Sequence, residues 1–139
     1  MRRIAPQLCV PCARWCEGAV PTKGSPGTRE DFAILRIYNV IFQMVAEVAK
    51  VAKQIEKCDR DLANQMRRAA ASVALNTAEG MGNTAGHKRE RYQSALGSAR
   101  EVMACTDVAK AMRYVDKVDA GTLERMNQVI GTLARLVYR

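Results

Sequence analysis

Apolar residues recur with a helical period from about residue 31 to the C-terminus. The first segment is predicted to form a helix over about 31–57, because its apolar positions step by three and four. They fall on two overlapping seams. A face this wide exceeds what one helix contact requires, so one seam can face a bundle core and the other a neighbouring subunit. The first seam is Leu35, Tyr38, Phe42, Val45, Ala49 and Ala52, and the second is Ile34, Tyr38, Ile41, Val45, Val48, Ala52 and Ile55.

Three further helices are predicted. The second begins at an N-cap, Asp59 or Asp61, and ends at Gly80 as its C-cap residue. The third covers about 85–114, with Asn83 or Thr84 as N-cap, and the fourth follows Asp119 to the C-terminus. With no strand signal and only short connections, the pattern predicts an all-α, antiparallel up-down-up-down four-helix bundle. The apolar positions are Tyr92, Leu96, Ala99, Met103 and Met112 in the third helix, and Leu123, Met126, Ile130, Leu133 and Val137 in the fourth.

One narrow polar stripe interrupts the alanine-rich second helix, and the third helix carries Ser98 and Glu101. The favoured interpretation is a hydrogen-bond network that fixes helix register or a subunit interface, since buried polar groups must be paired. Arg68 could then pair with Glu101 on the third helix. A role in binding a ligand or nucleic acid is the alternative. The stripe consists of Gln65, Arg68, Ser72, Asn76 and Glu79, with steps of three and four.

The N-terminal segment differs in composition from the rest of the chain. Residues 1–29 contain all four prolines, which predicts a disordered or loosely ordered tail before a bundle domain at 30–139. Cys9, Cys12 and Cys16 have a spacing that invites zinc or an iron–sulfur cluster, but no fourth ligand lies nearby, so a leader without metal is favoured. The start lacks the apolar core of a signal peptide, and no apolar run could span a bilayer, so we expect a cytoplasmic protein.

The chain is basic, with a net charge of +8 from 22 basic and 14 acidic residues. Residues 1–29 contribute 5 − 1 = +4 and residues 30–139 contribute 17 − 13 = +4. A positive balance favours acidic partners such as RNA or DNA. The candidate nucleic-acid site comprises the basic residues that open the third helix, beside His87, and one arginine that joins them only if the loop brings the helices together: Lys88, Arg89, Arg91 and Arg67.

Catalytic sites find little support in the sequence. A di-iron bundle site needs two Glu-x-x-His motifs, but the single histidine, His87, follows Thr84 by three residues. No Ser-His-Asp set, P-loop or dinucleotide-binding glycine pattern is recognisable. The sequence therefore predicts a protein that is not an enzyme and that uses no cofactor or metal.

The polar motif on the second and third helices is similar to that of a known family. The bacterial four-helix bundle proteins of ribosomal RNA intervening sequences (S23-type) share it over about residues 31–138. Thr77 departs from the family pattern, which usually has isoleucine there, and the 82–90 loop differs in detail. The matching residues are Gln65, Arg67, Arg68, Ala69, Ser72, Asn76, Ala78, Glu79 and Gly80, then Gly97, Ser98 and Glu101.

This resemblance implies a closed bundle, commonly a ring-shaped homopentamer, without established enzyme activity. A related branch comprises the accessory variability proteins of diversity-generating retroelements, basic pentamers that bind nucleic acid and a partner reverse transcriptase. The resemblance therefore implies a homo-oligomeric, nucleic-acid-associated accessory or scaffold protein. The alternative is a protein-binding adaptor for an enzyme such as a reverse transcriptase, without nucleic-acid binding of its own.

Overall fold

Four helices make up the described part of the chain. The computed structural model describes residues 29–138, with side chains from Arg36 onward. The helices are α1 (Arg29–Ile55), α2 (Arg60–Gly82), α3 (Ala85–Ala111) and α4 (Ala120–Val137). Each packs against the next and α4 packs back against α1, which confirms the predicted up-down-up-down bundle. The predicted tail and its three cysteines lie outside the described residues.

Predicted N-cap residues hold the N-termini of two of the three helices that follow α1. The Asp59 carboxylate accepts from the Leu62 backbone N–H at 2.9 Å, and Asp119 accepts from Thr122 at 3.1 Å. Both aspartates satisfy backbone donors that have no partner within the helix. Thr84 occupies the N-cap of α3 without a side-chain hydrogen bond to the helix.

Gly80 does not end α2, contrary to the prediction. The helix continues to Gly82, and Gly80 is buried where the Tyr92 ring of α3 lies against it. A Cβ atom at Gly80 would sit 2.7 Å from Cδ1 of Tyr92, closer than real Cβ contacts. Glycine is therefore required by the approach of a neighbouring ring, and a left-handed cap plays no part.

Helix α3 ends at Ala111, three residues before the predicted end, in a left-handed turn. Arg113 has φ 58°, and the Tyr114 N–H donates to the Ala109 carbonyl at 2.9 Å. The Arg113 N–H donates to the Lys110 carbonyl at 3.0 Å. These two bonds form a Schellman cap with arginine where glycine is usual.

The core runs the length of the bundle and includes most of the predicted apolar positions. Met103, Leu123 and Ile130 are only half-buried, and Met112 is 56 % exposed because it follows the last turn of α3. Thr77 is fully buried and donates its hydroxyl to the Val73 carbonyl at 2.7 Å. The largest fully buried side chains are Ile41, Met44, Ile55, Met66, Leu96, Met126 and Leu133.

The two predicted seams of α1 have different environments. Ile41, Val48 and Ile55 of the second seam are fully buried. The other seam keeps Phe42 50 % exposed, and its ring meets Tyr38 edge-on with centroids 4.9 Å apart. We call Tyr38, Phe42, Val45 and Ala49 the outer seam, since each of them is half-buried or exposed.

Candidate functional site: an interhelical polar network and a cationic surface

The predicted polar stripe joins α2 to α3. The Gln65 side-chain amide donates to Glu101 Oε1 at 3.1 Å, and the hydroxyls of Ser72 and Ser98 are 2.8 Å apart. Both pairs cross between the two helices and join residues that are 36 and 26 positions apart in the sequence. Gln65, Ser72, Ser98 and Glu101 of the predicted network therefore contact each other between α2 and α3, and their role in setting helix register stays a prediction.

Asn76 and Arg91 extend this network toward the connection between the two helices. The Asn76 amide nitrogen donates to both the backbone carbonyl and the hydroxyl of Ser72, each at 3.0 Å. Its carbonyl oxygen accepts from Arg91 at 3.4 Å, and Arg91 Nε lies 3.0 Å from a Glu79 oxygen. Arg91 is thus held within the network, a contact that the sequence interpretation missed because it assigned this residue to nucleic-acid binding.

Small side chains allow α2 and α3 to approach closely enough for these short contacts. Ala69 and Ala70 on α2 and Ala95 and Ala99 on α3 are almost completely buried. Only a close approach lets the short side chains of two serines on neighbouring helices meet at hydrogen-bond distance. The alanine-rich composition and the serine pair therefore support one another.

Arg68 does not pair with Glu101 as the sequence suggested. Gln65 occupies that carboxylate, and the exposed Arg68 forms no hydrogen bond or ion pair within residues 36–138. Arg68 instead lines a surface groove of about 530 Å³ on α2 with Asp61, Asn64, Gln65 and Arg67. It remains available to a group from outside the chain.

The four candidate nucleic-acid residues do not form one patch. Arg67 Nη2 lies 2.6 Å from Glu56 Oε2 near the turn between α1 and α2. The hydrogen bond and charge of Arg67 hold the pKa of Glu56 below its usual range. From Arg67 to the end of α2 the helix rises by about 22 Å, so Arg67 is remote from Lys88, Arg89 and Arg91 at the start of α3.

The basic residues at the start of α3 occupy different electrostatic situations, and Lys88 is half-buried. Arg91 is neutralised by Glu79 at 3.0 Å, while Arg89 is exposed and meets no carboxylate in the described region. His87 Nδ1 lies 3.8 Å from Glu90, with both side chains highly exposed. Arg89 is consequently the strongest of the candidates for contact with a phosphate.

More than half of the described carboxylates cap a helix or form an ion pair within the bundle, whereas many basic side chains have no carboxylate partner there. Asp59 and Asp119 cap helices, and Glu47, Glu56, Glu79 and Asp107 form ion pairs. The outward potential is therefore set by basic groups. Along residues 36–138, the basic side chains without a carboxylate partner include Arg36, Lys50, Lys57, Arg68, Arg89, Arg100, Arg113 and Lys117.

An ion pair between α1 and α4 was not anticipated from the sequence. Arg125 Nη2 lies 2.6 Å from Glu47 Oε1, and Arg125 also donates to the Gly121 carbonyl at 3.2 Å. The pair lies beside a cleft of about 330 Å³ to which Glu47, Lys50, Lys117 and Asp119 contribute. The sequence could have indicated this ion pair, because Glu47 and Arg125 each lie at the edge of the apolar face of their helix.

Two chemical features of the described residues bear on function, their potential metal ligands and their thiols. No group of three His, Cys, Asp or Glu side chains that could hold a metal ion occurs among residues 36–138. Cys58 and Cys105 are free thiols, the first exposed and the second buried. Burial, and then the Glu101 charge, raise the pKa of Cys105, which disfavours its reactive thiolate form.

The fold and the network define the class of this protein as an antiparallel four-helix bundle in which side-chain hydrogen bonds of the polar network join α2 to α3. A sequence profile of the family described as 23S rRNA-intervening sequence protein matches residues 34–135. The chain belongs to this family. Comparisons with curated proteins and with solved structures found no match. None of the described helices is long and apolar enough to cross a membrane.

Proposed function

We propose that this chain is a non-enzymatic, homo-oligomeric accessory or scaffold protein that associates with RNA or DNA. The observation that carries the proposal is the excess of unpaired basic groups, because basic residues outnumber acidic ones in the bundle and cations such as Arg68 and Arg89 have no carboxylate partner among the described residues. Phosphate groups are natural counterions for such a surface, and each contact releases bound cations from the nucleic acid.

Homo-oligomerisation would strengthen this binding. The unpaired cations of one bundle do not form a single patch, and each phosphate contact is weak when it is exposed to salt. In a closed assembly of identical subunits, the resemblance-based pentamer included, the same cations repeat around the axis and act together. The outer seam of α1, with Phe42 50 % exposed, supports a surface for another subunit.

Binding should be salt-sensitive and tolerant of sequence. The test is fluorescence anisotropy with labelled RNA and DNA of unrelated sequences over a salt titration. We expect Arg89→Glu to weaken binding to every sequence and to reduce the salt slope, by about one unit for each Arg89 that contacts a phosphate.

A matched control is Lys57→Glu, which reverses an exposed charge in the turn between α1 and α2, at the opposite end of the bundle from the start of α3. If both variants weaken binding equally, net charge alone is responsible and the α3 site is refuted. If the wild-type protein binds neither RNA nor DNA at low salt, nucleic-acid association is refuted. The adaptor, a protein that binds a partner enzyme such as a reverse transcriptase, then becomes the better proposal.

A further inference from the structure

The outer seam belongs to an apolar face that α1 shares with α2. Glu56 lies on this side of α1, because it reaches Arg67 of α2, and the outer seam continues from Glu56 in helical steps of three and four. Leu75 on α2 is 64 % exposed. It lies at the level of Phe42, since both residues are about 20 Å along their helices from the turn that joins α1 and α2.

Basic residues border this face. Lys53 follows Ala49 by one turn of α1, and Arg68 precedes Leu75 by two turns of α2. Glu56, directly after the end of α1, is the carboxylate nearest to Lys53 along the chain, and it is already paired with Arg67 at 2.6 Å. A complementary surface must therefore offer room for Phe42 and Leu75 and carry acidic groups at its edge.

One line of residues along α3 has these properties. Glu90, Ser94, Gly97, Glu101, Ala104 and Val108, here called the α3 strip, are all exposed and step by four and three. The strip contains two carboxylates and no cation, and three of its six residues, Ser94, Gly97 and Ala104, are small. A Cβ added at Gly97 would meet nothing within 4 Å, so the packing within one chain does not require glycine there.

We infer that the outer seam and Leu75 of one copy pack onto the α3 strip of a second copy of this chain. Phe42 would enter the depression over Gly97, while Glu90 and Glu101 would approach the basic border of the seam. The outer seam and the α3 strip both have the average spacing of 3.5 residues that suits knobs-into-holes packing of two helices. This inference rests on the proposed homo-oligomerisation and adds the two surfaces that meet.

The arrangement determines the type of assembly. Helix α1 packs against α2 and α4, and α3 lies across the bundle from it, so the two surfaces face different directions. The contact is therefore heterologous, with each copy using one surface toward each neighbour. Such a contact generates a ring when the rotation closes.

The occupant most directly in competition is the N-terminal segment of the same chain. Residues 1–28 carry four basic residues and one acidic residue, a net charge of 4 − 1 = +3. A basic segment is repelled by Lys53 and Arg68, whereas the carboxylates of the α3 strip are attracted. Charge complementarity therefore favours a second copy.

The experiment uses the full chain, freed of nucleic acid, in light scattering coupled to size exclusion. Phe42→Asp disables the seam and Gly97→Leu fills the α3 strip, so we expect each variant alone to be monomeric. Mixed in equal amounts they should form a heterodimer and no larger species, because only one productive junction remains between the two variants.

Gln128→Leu, an exposed substitution on α4 outside both surfaces, is the matched control and should keep the wild-type size. Far-UV circular dichroism checks that each variant is helical, and Leu75→Asp replaces Phe42→Asp if that variant fails to fold. An oligomeric wild type with an unchanged Gly97→Leu variant, or a mixture that stays monomeric, overturns this inference alone. A monomeric wild type overturns the proposed homo-oligomerisation as well.

Discussion

At the scale of single residues, the closest contact between α2 and α3 depends on a missing side chain. Gly80 leaves space for the buried Tyr92 ring, and a methyl group there would collide with it. We expect Gly80→Ala to lower the free energy of unfolding by about 1–3 kcal/mol through overpacking, measured by urea denaturation.

Gly82 is the control for this substitution. It ends the same helix, and an added Cβ meets nothing within 4 Å, so Gly82→Ala should be neutral or slightly stabilising. Smaller side chains at the ring position should restore part of the loss, so Tyr92→Leu should cost less in the Gly80→Ala background than alone. Equal losses in both backgrounds would contradict the collision.

Arg113 is a residue whose backbone conformation suits glycine better. Its φ of 58° closes the Schellman cap of α3 at the expense of steric strain for a residue with a Cβ. We expect Arg113→Gly to raise the free energy of unfolding by about 0.5–1 kcal/mol, as judged by thermal melting. Arg113→Ala removes the charge but keeps the Cβ, so an equal gain from alanine would assign the effect to charge.

At the scale of helices, the α2–α3 pair is the best-specified element of the bundle. Asn76 makes three contacts there, two to Ser72 and one to Arg91. We expect Asn76→Ala to lower the free energy of unfolding by about 1–2 kcal/mol, because it leaves the Ser72 hydroxyl and the Arg91 guanidinium with fewer partners. Asn127→Ala, at an exposed position on α4, should change it little.

Much of the structure at the scale of helices could be predicted from the apolar periodicity and the cap residues. The four helices, the Asp59 and Asp119 caps and the alignment of Gln65, Ser72 and Asn76 along one side of α2 follow local rules. The ring packed on Gly80 and the Glu79 partner of Arg91 depend on how α2 and α3 are placed relative to one another. A single sequence contains the spacing along each helix but not the offset between two helices.

At the scale of the whole molecule, the positive charge is divided between the tail and the bundle. Residues 29–139 retain 8 − 3 = +5 of the net charge, and the whole described core lies between Ile37 and Val137. We expect a chain lacking residues 1–28 to melt cooperatively and still to bind nucleic acid with a smaller salt slope. Complete loss of binding by the folded shorter chain would place the binding groups in residues 1–28.

Metal analysis of the full-length chain tests the cysteine-rich segment. Cys9, Cys12 and Cys16 lie within residues 1–28, and the predicted leader holds no metal. Metal analysis of full-length protein purified without oxygen should find no stoichiometric metal. A metal that disappears in Cys12→Ser would contradict the leader interpretation.

The contact between Gly80 and Tyr92 also has a consequence for the order in which the chain folds. The two residues are only 12 positions apart, so bringing them together closes a short loop at little entropic cost. The α2–α3 hairpin is therefore expected to form in the folding transition state, before α1 and α4 dock. In stopped-flow kinetics, Gly80→Ala should mainly slow refolding, whereas Val129→Ala in the core of α4 should mainly accelerate unfolding.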